Sequence, residues 1–409
     1  MDVMQIANGI PMWIACGIPV VLVVIQAVLF ARGAYGAGKK MGLGEDKMKK
    51  AMKSSAITSI GPSIVVLSGM LSLLVTVGGP VGWMRLAMIG SVMFESIAAG
   101  LGTSAVGVTL GTDPMTEEAL AMAVWTMVLC SVGWVIFSTF SANKMDKIEH
   151  KLSKGNSGTL STIANCAIIG VFAAMVASHI SKPFYSMVLK KVNKIGKLTG
   201  VLGVILAFSP AIALAVVYGI LPKPAALLTA FISGVSAFGV LWFVEPISYY
   251  PVLGTAGTYM AFLSGNISNM RVPCASMAQV AADVEPGTEQ GSIIATLGMA
   301  VSIIINVSVL TIGAILGTSV LSMLPATVKT ALNYLLPALF GALMVQFGIK
   351  MVKHSLIMLV IAFALYFAIG IGLFNWLPGA SNWLGTLGCV FISIAVGFAT
   401  MSNNTKKKA

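Results

Sequence analysis

Two Met-Arg pairs, Met84-Arg85 and Met270-Arg271, are the residues of this 409-residue chain best suited to recognising charge. There are three arginines against twenty-two lysines, and only Arg32, at the end of the first apolar run, lies outside these pairs. A guanidinium offers a planar fork of donors that matches a carboxylate or phosphate, unlike the ammonium of lysine. Within an apolar run such a charge is costly and faces a cavity or a partner. The plainer alternative is a structural ion pair or a helix cap at an interface.

The acids follow the arginines. Of thirteen Asp and Glu, eight lie in or beside the same regions: Glu95, Asp113, Glu117, Glu118, Glu245, Asp283, Glu285 and Glu289. Glu95, in the run MFESIAAG, has no charged neighbour in sequence. Pairing with Arg85, taking up a coupling proton and binding Na⁺ are all open to it. Glu117 and Glu289 each end a Pro-x-Thr-Glu motif, and an acidic first turn opening the next helix explains both. Glu245 opens the run EPISYY, which reads as a gate or an interfacial belt.

The densest polar cluster is Gly257, Thr258, Ser264, Gly265, Asn266, Ser268, Asn269 and Arg271, followed by Pro273. With Ser68 in the related run Leu67-Ser68-Gly69, these residues mark interrupted helices. Broken helices near the bilayer midplane free amide N–H groups for an anion and carbonyls for Na⁺. Close helix packing through small residues is the competing explanation. Together with Arg85 and Glu95 they form the expected substrate- or ion-binding set.

These residues recur in order. GPSIVVLSGMLS (61–72) and GTYMAFLSGNIS (257–268) share Gly, five residues, Leu-Ser-Gly, two residues, Ser; Met-Arg and then Pro-x-Thr-Glu follow each. The spacings differ, so either the first half carries an insertion or part of the match is accidental. The expectation is two inverted repeats, residues 1–220 and 221–409. Inverted repeats let two halves exchange roles and open one site to alternate sides.

The elements that must hold these residues are helices in a bilayer. The chain is 57% hydrophobic and 9% charged, with a mean hydropathy of +0.94. Soluble domains carry about 25% charged residues. Apolar stretches at 11–31, 54–78, 159–178, 199–220, 290–318 and 355–373 approach or exceed the ~20 residues a spanning helix needs. Backbone groups in lipid must bond internally, so the fold class is all-α, a polytopic membrane protein. Asp2 and the long first apolar run argue against a cleaved signal.

Basic segments at 32–53, 142–158, 350–353 and 406–408 suit the cytoplasmic side. That implies an outside N-terminus, an inside C-terminus and about eleven crossings, with a segment near 83–110 that enters and returns. Lys182, Lys190, Lys191, Lys194 and Lys197 resist this count. Either 180–198 is an interfacial helix or a neighbouring span is misassigned.

Cys16, Cys130, Cys166, Cys274 and Cys389 show no paired spacing, and His150, His179 and His354 form no ligand pair, so no metal site is expected. The net charge of +12 follows from the loop lysines and implies no nucleic acid. No phosphate-binding loop or nucleophile motif supports an enzyme. The sequence favours a secondary transporter of a small anionic or zwitterionic organic solute in the cytoplasmic (inner) membrane. Na⁺ or H⁺ would drive it; no other cofactor is expected, and a homo-oligomer is an option. A channel and a non-catalytic membrane subunit are the alternatives.

The runs TSIGPSIVVLSGML and GGPVGWMRLAMIGSVMFE resemble an uncharacterised family of prokaryotic inner-membrane proteins, a domain of unknown function. GTYMAFLSGNISNMRVPCA is similar to the same pattern. The resemblance implies a transporter-like polytopic protein and assigns neither substrate nor site.

Overall fold

The structure, a computed structural model, describes residues 2–145, 183–323, 352–374 and 392. The apolar stretch 159–178, the lysines of 147–154 and the 406–408 tail lie outside the described residues. Every regular element among those described is helical. The first part comprises α1 (Val3–Ala7), α2 (Ile10–Lys40), α3 (Glu45–Val77), α4 (Gly79–Ala87), α5 (Val92–Ser104) and α6 (Glu117–Ser141). The later part comprises α7 (Pro183–Ala207), α8 (Ser209–Val217), α9 (Pro224–Phe238), α10 (Leu241–Ser264), α11 (Val272–Ala281), α12 (Glu289–Met323) and α13 (Val352–Gly370).

Six helical stretches among the described residues are long and apolar enough to cross a bilayer: Val3–Lys40, Glu45–Val77, Glu117–Lys144, Val192–Val217, Pro224–Ser264 and Glu289–Gly317. Burial runs the membrane way. On α2, Ile10, Ile14, Ile18, Val21, Ile25 and Leu29 recur at helical spacing on an exposed face, while Met12, Cys16, Val23 and Ala27 are buried. Conversely Gln26, Ser59, Ser63, Arg85, Glu95, Arg271 and Asn306 are buried. Apolar outside with polar inside suits a hydrocarbon solvent, which rewards satisfying polar groups internally.

The Pro-x-Thr-Glu motifs are helix starts. Thr116 Oγ1 accepts from the Ala119 amide at 3.1 Å ahead of α6, and Thr288 Oγ1 accepts from the Gly291 amide at 2.9 Å at the start of α12. Each satisfies an amide the helix leaves unbonded, and the following Glu favours the positive end of the helix dipole.

Packing contacts define two ends of the bundle. At one, Asn8 Oδ1 accepts from the Gly79 amide at 2.8 Å, Tyr218 packs on Gly9, and Lys223 pairs with Glu118 at 2.9 Å. At the other, Leu43, Met48, Ala278 and Ile293 form a small separate core. α4 and α5 make a hairpin based at the first end. Its entry turns at Gly78 (φ 93°), after which Gly82 packs back on Leu73. On the way out, Gly102 packs on Met122, within two turns of the start of α6.

A second hairpin is based at the opposite end. α10 is broken at Gly254 (φ 65°, ψ −178°), which packs on Ser292 near the start of α12. Residues 255–264 lead inward and α11 leads back, where Gln279 Nε2 donates to Val252 O and Gly291 O, both at 3.0 Å. Gly78 and Gly254 thus occupy matching reversals, in a backbone region open only to glycine at low cost.

α7 bears on the lysines that resisted the sequence topology. Gly196 packs on the Tyr259 ring, and α7 with α8 continues to Tyr218 at the first end. Lys194 and Lys197 therefore open the span Val192–Val217 from the second end. The apolar run 199–220 begins about four turns inside its own helix, Pro183–Ala207.

Candidate functional site

The two hairpin tips meet. Ile89 N donates to Leu263 O at 2.9 Å, and Asn266 N donates to Gly90 O at 3.0 Å, two main-chain bonds that join the tips. The first tip, 88–91, holds Ile89 at φ 66°, an outlier for a β-branched residue. It ends with Ser91, whose Oγ accepts from the Phe94 amide at the start of α5. The second tip has Gly265 at φ 65°, Asn266 left-handed at φ 51°, and a π-turn over Ile267–Arg271. Strained backbone of this kind clusters at functional sites. A Cβ on Gly265 would collide with the backbone of Gly90, so the contact itself requires glycine.

Four helix ends converge here: the carboxyl ends of α4 and α10, and the amino ends of α5 and the π-turn leading into α11. Each carboxyl end is capped by a side chain. Asn266 Nδ2 donates to Leu86 O at 2.8 Å. Arg271 Nη2 donates to Ser264 O at 3.2 Å, and its Nε donates to Ser264 Oγ at 3.0 Å and Gly265 O at 3.2 Å. Its Nη1 reaches Ser302 Oγ at 3.0 Å on α12. A buried cation beside helix-end carbonyls is stabilised by their aligned dipoles. No carboxylate lies within 4 Å of Arg271 among the described residues.

Arg85 is held differently. Its Nε and Nη2 donate to the two oxygens of Glu95 at 2.9 and 2.8 Å, with both side chains fully buried. Nη2 also donates to Met127 O at 3.0 Å and Ser131 Oγ at 2.8 Å on α6. The pair joins the inward arm of the first hairpin to its outward arm and to α6.

A cavity of about 60 Å³ lies against the tips. Gly90, Ser91, Asn266 and Ser268 form its tip side, and Phe94, Trp134, Phe238 and Phe262 form an aromatic wall. Glu245 on α10 completes it. Asn266 is 2% exposed, and its Oδ1 has no hydrogen-bond partner among the described residues.

Of the residues expected from the sequence, the structure brings Arg85, Glu95, Ser264, Gly265, Asn266, Ser268 and Arg271 to the crossing. Only Asn266 and Ser268 line the cavity, and neither arginine does. Gly257 is packed against Met299, Thr258 Oγ1 donates to Gly254 O within its own turn, and Asn269 is exposed. Ser68 stands apart: it is exposed on unbroken α3, and its Oγ donates to Val65 O. The interruption expected at Leu67–Gly69 falls instead at Gly78, because Gly69 serves to admit Val92 in a continuous helix. The matched runs 61–72 and 257–268 therefore differ locally, one a rod and the other ending in the tip.

Sequence reasoning missed Ser131 and Ser302, the arginines' partners on the helices behind, and the aromatic wall. Asn306, one turn beyond Ser302, is fully buried with neither amide atom bonded among the described residues. Ser302 and Asn306, polar at a four-residue spacing within an apolar helix, were the available signal.

The fold and its buried polar crossing define an all-helical, polytopic membrane protein. Residues 8–226, just over half the chain, match the family described as Domain of unknown function (DUF5058), and the chain belongs to that family. The first tip lies within the matched region, and the run 257–275 lies beyond it. No curated protein matches the chain. No solved structure matches it either.

Proposed function

We propose that the protein is a secondary transporter whose solute site is the crossing of the two hairpin tips. The observation carrying this reading is the meeting of Ile89–Gly90 with Leu263–Asn266, reached by hairpins based at opposite ends of the bundle. α4 has nine residues and the arm 255–264 has ten. At 1.5 Å per residue each arm is about 14–15 Å long, half of a ~30 Å hydrocarbon core. Two re-entrant hairpins of that length, entering from opposite faces, meet at the midplane. Unwound segments at that depth are tolerated where they are buried in protein or line a cavity.

The same geometry favours an inverted repeat with a revised register. Gly78 corresponds to Gly254, α4 to 255–264, α5 to α11, and α6 to α12, with Pro-x-Thr-Glu at the same place in both. α2 and α3 then correspond to α7–α8 and to the span 224–253. On this reading the second copy begins with α7, near 183 rather than 221. Lysines 39–53 and Lys194 and Lys197 fall at one face, in agreement with the positive-inside tendency.

A carrier needs one site presented alternately to each face, and two like halves of opposite orientation supply that. The solute is small and organic, anionic or zwitterionic, and Na⁺ or H⁺ supplies the driving force. The arginines act as positioning residues, since Glu95 and the α10 carbonyls already engage them. Purified protein in liposomes with an imposed Na⁺ or H⁺ gradient is expected to accumulate such solutes. Absence of gradient-driven uptake across a broad panel, or unitary conductance in planar bilayers, would remove the carrier reading.

A further inference from the structure

We infer that the tip cavity recognises a small solute through a protonated amine, with Glu245 as its counter-charge and Trp134 and Phe94 as its cage. The inference rests on taking the crossing as the solute site. It assigns a partner to the solute's positive group, where the sequence pointed only to arginines for the anionic one.

Three independent features converge on it. The charged side chain lining the cavity is a carboxylate, not a guanidinium. No lysine or arginine lies within 4 Å of Glu245 among the described residues; its carboxyl lies by the Trp134 indole. The wall facing it is aromatic. Phe94 meets Trp134 edge-on at 5.0 Å between centroids and Phe238 at 4.7 Å, and Trp242 packs on Trp134 at 6.5 Å. Aromatic faces attract an organic ammonium electrostatically and tolerate its carbon substituents. A bare metal ion instead needs a shell of oxygens, which that wall does not provide.

The third feature is the Asn266 acceptor. Its Nδ2 is fixed by Leu86 O, which leaves Oδ1 buried, unbonded and on the cavity. An ammonium has three N–H donors, enough to serve both Glu245 and Asn266. The amino end of α5 stands on the tip side, where a solute carboxylate would meet amides without intrahelical partners. At ~15 Å³ per water-sized sphere the cavity holds roughly four. That suits an amine or amino acid of about five non-hydrogen atoms.

The test uses purified full-length protein in lipid nanodiscs. In a fixed NaCl background, ethylammonium and glycine are expected to raise the unfolding temperature in a saturable way, and acetate at equal ionic strength is not. Glu245→Gln is expected to weaken ethylammonium binding at least tenfold. Trp134→Leu should weaken it several-fold and Trp134→Phe less. In wild type, modification of Glu245 by an apolar carbodiimide, read by mass spectrometry, should be slowed by ethylammonium, which keeps the question open should Glu245→Gln fail to fold. Unchanged modification rates, equal binding to Glu245→Gln, or saturable stabilisation by acetate alone would overturn the proposal. Amine binding without uptake removes the carrier reading only; uptake of carboxylates lacking an amine, with no amine binding, removes this inference only.

Discussion

Replacing Glu95 by Ala is the sharpest perturbation of the framework. Both oxygens of Glu95 bond the Arg85 guanidinium, and neither side chain has measurable exposure. The variant leaves a buried cation with Met127 O and Ser131 Oγ as its remaining partners. Breaking a buried pair from one side costs about 3–5 kcal/mol, because the surviving charge stays desolvated. Deleting both partners is far milder, so Arg85→Met with Glu95→Leu is expected within about 1 kcal/mol of wild type. Ser131→Ala, which removes one neutral partner, should cost about 0.6 kcal/mol, as interhelical bonds in membranes do. Reversible unfolding in mixed micelles, with the three variants measured against wild type, gives these differences. A loss below about 1 kcal/mol for Glu95→Ala, or a double variant less stable than the single one, would refute the view that the pair holds the hairpin arms together.

Gly265→Ala should abolish monodisperse protein in size-exclusion chromatography, because its Cβ meets the Gly90 backbone at positive φ. Gly100→Ala on α5 has open space and should be neutral or stabilising by up to about 1 kcal/mol. Arg271→Lys keeps the charge but cannot reach Ser264 and Ser302 together; thermal unfolding is expected to report a loss of about 1.5–3 kcal/mol, and an unchanged midpoint would contradict the capping role. Ser68→Ala should leave both stability and uptake at wild-type levels, since that hydroxyl bonds only its own turn. In a cysteine-free background Ser268→Cys, exposed at the cavity rim, should react with a maleimide readily, whereas native Cys16, Cys130 and Cys274, all buried, should not.

The helices were legible because hydrocarbon leaves the backbone no alternative, and the Pro-x-Thr-Glu starts because capping is local chemistry. Arg85, Glu95, Arg271 and Asn266 were legible because charge and amide groups are rare in apolar runs. Their roles were not. Whether a buried arginine faces a solute or a helix end depends on Ser264, Ser302 and Ser131, which only folding brings near. The positions of the helix breaks were hidden for a related reason. Leu-Ser-Gly packs equally well in a rod such as α3 and at a break such as 263–265, whereas the decisive property, positive φ at Gly78 and Gly254, leaves no mark in residue type. Glu245 drew little weight because its sequence neighbours suggested a gate or a belt, and most of the aromatic wall that gives it meaning comes from other helices, α5, α6 and α9.

The two bonds between the tips run from main chain to main chain, so only proline removes either donor outright and only a Cβ at the close approach of Gly265 would push the tips apart. If the protein is the proposed carrier, this contact is the axle of its cycle: separations measured across 89–263 should hold constant while those at the hairpin bases change. Spin labels placed near the bases would register the cycle, and labels beside the axle would stay silent.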